Sequence, residues 1–514
     1  MFRFIADLIK KKNKETQEVS DSLNSSLALM KLSSSLEKNI GMMKELFRDV
    51  DIMRYKTIET AGEPPVRCCA VFSDGLVDSA VVNDSVVKPL MLSPARPVGG
   101  LMEYLLESVV QVSETSTADD FQTIVEEVTY GNTVLFVDGC AQAAILNTKG
   151  FTLRGIDEPD NERILSGPRD GFNESLMQNI AHIRRRLRTH DLKIKTVKFG
   201  RRTQTSASIC YLESIVDKDI LDEFLKRIKK IDIDGALDTN YIAEQIRDMR
   251  FTPFRTTGYT ERPDVVVGKL LEGRIALILD GTPAVMTVPY LFIENFQSSE
   301  DYYLSFYYTS FSRILRFLAF MLTVMVPGLY IALVAFHHEM IPTPLLLSIA
   351  SSQRGVPLPA SIEAIVMLLV FDVLRETGIR MPTSIGQALS IVGALVIGQA
   401  AVEARLVAAP MIIIIAATGI TGLLVPRLNA PIIYWRVIML LLSSSFGLLG
   451  LTLGLSALLI HLFNLKSLGV EQISITGRFR FQENKDVLIR APWWKMITRP
   501  DRLTKNKVRQ GGGD

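Results

Sequence analysis

Two acids stand inside an otherwise apolar run, Glu363 and Asp372 in SIEAIVMLLVFDVLRETGIRMP (361–382), and Glu376 follows them. A carboxylate set in apolar sequence is costly unless paired or wet, so it marks a functional-site candidate. Repeated once per subunit around an oligomer, it would form an acid ring that favours cations in a pore. Glu363, Asp372 and Glu376 are therefore the candidate ion pathway. The nine-residue spacing of Glu363 and Asp372 puts them on opposite sides of a helix, since nine steps of ~100° leave ~180°. They cannot act as one acid–base pair. The competing reading is a helix lying at a membrane surface with its acids in water. His337, His338 and Glu339 carry ligand-type side chains but adjoin the end of an apolar stretch, and read as a solvated loop. Cys68, Cys69, Cys140 and Cys210 form no CxxC pair and read as packing residues in a reducing compartment. No metal or cofactor is expected, and no nucleophile–base set points to an enzyme.

The elements that would position those acids are membrane helices. Phe317–Phe336 runs twenty residues without a charge, enough for a ~30 Å hydrocarbon core at ~1.5 Å per residue. Ile385–Val402, Leu406–Val425 and Val437–Phe463 are further candidate spans, and Ala360–Leu374 is a weaker fifth. The last stretch is longer than one span needs and contains GLTLG (Gly450–Gly454), a spacing that permits close helix approach. Between the first two spans, Pro342, Pro344, Pro357 and Pro359 break the chain into short pieces. Broken backbone at membrane depth is tolerated only inside protein or along a wet cavity. The membrane domain, 312–465, is thus expected to hold four to six spans, one of them possible as a re-entrant piece. The tail from Lys466 carries eleven Lys/Arg against five Asp/Glu, which places it in the cytoplasm.

Before Ser312 the chain is charged and soluble in character. Residues 1–48 are a polar, basic segment with an amphipathic helix over Leu29–Phe47. Two similar units follow. The first, within 49–190, has strands at Val66–Phe72, Thr133–Gly139 and Ala141–Thr148; the second, within 191–311, has them at Ser206–Leu212, Arg274–Gly281 and Ala284–Tyr290. Asp138–Gly139 and Asp280–Gly281 stand at equivalent hairpin turns. The expected fold is an α/β N-terminal cytoplasmic region of two tandem subdomains followed by a polytopic α-helical membrane domain. Between the units, Arg184, Arg185 and Arg186 crowd one helix; Glu261, Arg262 and Asp264 form a second polar cluster that precedes the last hairpin. Both read either as solvated, salt-bridged surface or as subunit contacts. The net charge of +2 gives no reason to expect nucleic acid.

Several stretches carry a resemblance: GPRDGFNESL with IRRRL, TERPD, GRIALILDGTP, HHEMIPTPLLLSIASSQRGVPLP, the acid-bearing run above, IGQALSIVGALVIGQAAVEARLV, and DVLIRAPWWKM with TRP. Their order from about Cys68 to Pro500 resembles the A subunits of GerA-type spore germinant receptors. One departure is Gly469–Gln482, where that family has a Pro-Tyr-Leu-Ser-Pro-like run. The resemblance implies a multi-pass receptor subunit in the inner membrane of the bacterial spore, with its N-terminal domain on the core side. It implies a transporter-like B subunit that binds the nutrient, a lipoprotein C subunit, a homo-oligomer of A subunits among membrane lipids, and a nutrient-gated path for monovalent cations. The alternative function is a non-conducting scaffold between a nutrient-binding partner and downstream germination machinery. A secondary transporter is the weaker third reading, because the duplication lies in the soluble half.

Overall fold

The computed structural model describes residues 30–94, 100–150, 162–164, 166–380, 398–473, 486–496, 498–500, 502–506 and 509. Its N-terminal half is built twice from one plan. In the first unit a helix, α1 (Leu36–Leu46), precedes β1 (Met53–Glu59) and β2 (Arg67–Ser73). Helical runs at 79–92 and 101–109 lead to β3 (Thr115–Ala118), α2 (Phe121–Thr129), β4 (Thr133–Val137) and β5 (Ala143–Leu146). The second unit repeats the order with α3 (Leu176–Arg186), β6 (Leu192–Phe199), β7 (Thr205–Leu212), α4 (Lys218–Ile228), α5 (Thr239–Ile246), β8 (Gly258–Thr260), α6 (Pro263–Leu271), β9 (Ile275–Leu279) and β10 (Val285–Val288). The sheets have matching strand orders, β1-β2-β4-β5-β3 and β6-β7-β9-β10-β8, and all their pairings are antiparallel.

The repeat extends to single hydrogen bonds. The Asp138 carboxylate accepts from the Leu36 amide at 3.2 Å, and Asp280 accepts from Leu176 at 3.0 Å. Each hairpin aspartate thus caps the helix that opens its own unit, satisfying an amide with no partner inside the helix. In the first unit the Asn39 side chain accepts from the Ser33 amide at 2.9 Å; in the second, Asn179 accepts from Asn173 at 2.9 Å. Gly139 and Gly281 take φ of 84° and 86°, a conformation glycine adopts without steric cost. Packing follows from this plan. One core of buried residues, including Met43, Phe136, Ile183, Ile194 and Ile278, runs through both units, and each sheet covers a further core on its other face. The four β4–β5 and β9–β10 strands are buried at every position.

The second half is helical: α7 (Phe306–Phe336), α8 (Thr343–Gln353), α9 (Ala360–Arg380), α10 (Ala409–Leu423) and α11 (Asn429–Asn464). Two segments, Phe306–Phe336 and Pro426–Asn464, are long and apolar enough to cross a membrane, and this fits a membrane protein. The expected span Ile385–Val402 lies mostly outside the described residues.

The segment expected to be one long span, Val437–Phe463, is a helical hairpin. Gly447 stands inside α11 with φ 58° and ψ −135°, and the two legs, 429–446 and 448–464, fold back on each other. A Cβ on Gly450 would overlap the Leu442 carbonyl, and one on Gly454 would lie 2.6 Å from the Met439 sulfur. The Trp435 and His461 rings meet at a tilt of 55° with centroids 5.7 Å apart. In a straight helix those two rings would be separated by about 39 Å. The GLTLG spacing therefore serves close approach within the hairpin. Gly447 at its apex abuts Phe336 and His337, at the end of α7, so the hairpin turns at the level where α7 ends.

Candidate functional site

The three candidate acids lie along α9, and the structure gives each a different environment. Glu363 is 1% exposed, and its carboxylate accepts from the Ala408 amide at 2.5 Å. Ala408 is the N-cap of α10, so this acid sits where the helix presents unpaired amides and the positive end of its dipole. Asp372 reaches the first leg of α11 and pairs with Arg436 at 2.5 Å. Three residues on, Arg375 donates to Asn429 at 3.4 Å. Glu376 is exposed and pairs with Arg380 at 2.7 Å, one turn along the same helix. The acids are thus not brought together. Glu363 and Asp372 bond different helices, as a half-turn separation requires. The outward side of α9 is instead an exposed apolar stripe, Ile362, Ile365, Val366, Leu369 and Val373, and Glu376 continues it. On the packed side, Gly419 of α10 leaves room for the Phe371 ring.

The two polar clusters, on α3 and at the start of α6, are brought together. The Phe172 amide donates to the Glu261 carbonyl at 2.7 Å. Arg262 donates to the Pro168 carbonyl at 2.6 Å and to Asp264 at 2.8 Å. Tyr303 then bonds Asp264 at 2.6 Å, which carries the cluster to the segment before α7. Arg184 is fully buried, and its guanidinium donates to the carbonyls of Thr189 and Leu192 at 2.7 and 3.4 Å. Arg186 pairs with Asp170, while Arg185 is half-buried on the same helix. Arg184 and Arg262 thus correct the expectation of subunit contacts: a buried guanidinium has no surface to offer a second chain. Burial pushes the Cys68 and Cys210 thiols up to about 12, which keeps them protonated packing groups. Among the described residues, no group of three or more His, Cys, Asp and Glu is placed to hold a metal ion.

Sequence reasoning missed the joint between the two halves. Arg313, in the second turn of α7, is fully buried and pairs with Asp301 at 2.8 Å and with Asp486 of the tail at 2.7 Å. Arg316 reaches the same Asp301 at 3.0 Å. The tail then runs on over the second α/β unit, where Arg499 donates to the Leu271 carbonyl at 2.7 Å and Lys505 pairs with Asp219 at 2.7 Å. The available signal was two arginines three residues apart at the head of an apolar run. Their partners lie 12 and 173 residues away from Arg313 and leave no local pattern.

Beside this joint, Glu294 is buried between Arg274 and Lys269, the latter at 2.7 Å. Burial alone raises its carboxyl, but the Arg274 and Lys269 charges more than offset this and hold it below the ordinary 4.5. A depressed carboxylate contributes stability that is present above its unfolded value and lost as pH falls through the folded one. The melting temperature of the full chain in detergent is expected to fall below pH about 4.5, and the fall should be shallower in Glu294→Gln. Equal slopes would show that Glu294 is not part of the acid response.

A family model for the Bacillus/Clostridium GerA spore germination protein matches residues 41–502. The chain belongs to the GerA family. Spore germination protein KA of Bacillus subtilis (strain 168) is 40% identical over 485 residues, covering 93% of this chain and 89% of that protein. Spore germination protein GerLA of Bacillus cereus is 34% identical over 440 residues, covering 85% and 89% respectively. The N-terminal domain of the A subunit of the Bacillus megaterium spore germinant receptor GerK3 is a solved structure 30% identical to this chain; the match covers 51% of this chain and 98% of that one, with a TM-score of 0.42. As a GerA family member the chain acts in spore germination and is not an enzyme.

Proposed function

We propose that this GerA family chain is the multi-pass A subunit of a nutrient receptor in the inner spore membrane, and that copies of it assemble around a cation path gated by nutrient. The observation that carries the reading is α9. Its inner side is tied to α10 and α11 through Glu363 and Asp372, and its outer side is an apolar stripe that ends at Glu376. At ~1.5 Å per residue, 21 residues of α9 measure about 31 Å, the depth of a hydrocarbon core. Packing of that stripe against a second copy would bring one Glu376 per subunit to a common axis. Glu363 and Asp372 then act as internal ties whose making and breaking separates closed from open bundles, a two-state change that a partner can bias. Arg185, Arg186, Glu261 and Asp264 remain the candidate contacts at the α/β level. A transporter-like B subunit and a lipoprotein C subunit complete the receptor in this reading.

The test is cation release from spores, and conductance in planar bilayers, for Glu363→Gln, Asp372→Asn and Glu376→Gln. Glu376→Gln should lower cation selectivity several-fold with assembly intact, and the other two should shift the nutrient dose needed. If none of the three changes release, the ion path is wrong. The alternative is a non-conducting scaffold, and it gains support from the fact that Arg436 already neutralises Asp372. A purified oligomer that never conducts would establish it.

A further inference from the structure

The tail motif APWWKM has no place in the function described so far, and its two indoles are left open. Trp493 and Trp494 are 44% and 71% exposed, in a short helical turn, Trp493–Lys495. A solvated pair of this size is unfavourable unless something apolar covers it. The turn is also rigidly placed. Arg490 lies over the Trp493 ring at 5.3 Å, its amide donates to the Ser310 hydroxyl at 3.1 Å, and its guanidinium donates to the Leu304 carbonyl at 3.0 Å. Trp494 meets the edge of Phe306, the first residue of α7, at 6.0 Å. The indoles are thus locked at the level where α7 begins.

That level can be read from α7 itself. Over its first 17 residues the large exposed side chains are first aromatic, Tyr307, Tyr308 and Phe311, and then aliphatic, Ile314, Leu315, Leu318 and Leu322; exposed Phe336 closes the far end. Thirty-one residues span about 46 Å, some 16 Å more than the hydrocarbon core. The eleven residues before Phe317 account for that surplus, and the aromatic turns lie among them. Aromatic-then-aliphatic is the order met on passing from headgroups into acyl chains, because Tyr and Trp favour the interface. Lys495 is exposed beside the indoles, which suits an anionic headgroup.

We propose that the Trp493–Trp494 turn is an interfacial membrane anchor, seated in the headgroup layer on the α/β side and held to the base of α7 by Arg490. The proposal rests on α7 crossing the membrane. The chain has three tryptophans, and the third, Trp435, is buried, so emission can be resolved by site. The full chain is placed in phosphatidylcholine–phosphatidylglycerol vesicles whose lipids carry bromine at shallow or deep acyl positions. In Trp435→Phe/Trp493→Phe, Trp494 emission should be quenched at least two-fold more by shallow than by deep bromines. The difference between the native chain and Trp494→Phe supplies the same quantity if the double variant folds poorly. Leu322→Trp, with the native tryptophans replaced by Phe, reports on α7 separately and should be quenched best by deep bromines. If the Leu322→Trp probe responds and Trp494 does not, the anchor is wrong and the span stands. If Trp494 is quenched by acrylamide alone, it faces water; if neither agent reaches it, a second copy or a partner subunit covers it. Either result overturns the anchor. If Leu322→Trp is silent as well, the membrane reading fails together with it.

Discussion

Arg313→Met is expected to destabilise the full chain by about 3–5 kcal/mol, the cost of breaking a buried ion pair by removing one partner. Asp301 and Asp486 both address this one guanidinium, at 2.8 and 2.7 Å, and Asp301 is 2% exposed. Arg316 remains beside Asp301 but does not reach Asp486 in its place. The methionine keeps much of the arginine's apolar stem without its charge, so the loss reads the ion network more than a cavity. Arg313→Lys should fall between, since a point charge cannot serve two carboxylates with the fork geometry of a guanidinium. Thermal denaturation in detergent measures the first effect. Limited proteolysis measures the second, because a tail that has lost Asp486's partner is released from the base of α7. A variant as stable as the native chain, with its tail still protected, would remove the joint from the list of structural determinants.

Gly447→Ala is the other large expectation. The backbone there has φ 58° and ψ −135°, where an L side chain carries about 1–3 kcal/mol of strain. The new methyl would also stand 2.8 Å from the His337 ring and 2.9 Å from the Phe336 Cβ, and overpacking of this kind costs a further ~1–3 kcal/mol. Both terms act at one atom, so the loss should be about 2–6 kcal/mol in all. Leu449→Ala, two residues away on an exposed position, is the control and should change little. If the two variants melt alike, α11 does not turn at Gly447.

The parts legible in sequence were those fixed by local chemistry. Asp138–Gly139 and Asp280–Gly281 declare hairpins because the turn itself needs glycine. The inner strands, such as Thr133–Val137, declare themselves by unbroken apolar runs. The edge strands β1 and β6 escaped, since RYKTIE and LKIKTVKF alternate charge with apolar residues, as edges must to avoid unwanted pairing. The equivalence of α1 and α3 escaped too, because what they share is one buried asparagine each, Asn39 and Asn179. At the site, the sequence could say that Glu363 and Asp372 face opposite ways but not what they meet. Ala408 and Arg436 lie 45 and 64 residues downstream. The hairpin was hidden because composition averages over Gly447, and a turn between two apolar legs changes no average.

The position of Asp486 in the chain has a consequence for how the molecule is made. Translation delivers the α/β units first, then every helix, and only afterwards the residues that clasp Arg313 and lie across Leu271 and Asp219. While the ribosome is still working, the base of α7 holds a guanidinium that lacks one of its two carboxylates. In the membrane arrangement proposed above, closure of the clasp would report that the last helix has been inserted with its end on the α/β side. A chain that stops early, or whose final leg is threaded the wrong way, keeps an open, charged seam, which is the kind of defect that quality-control proteases recognise.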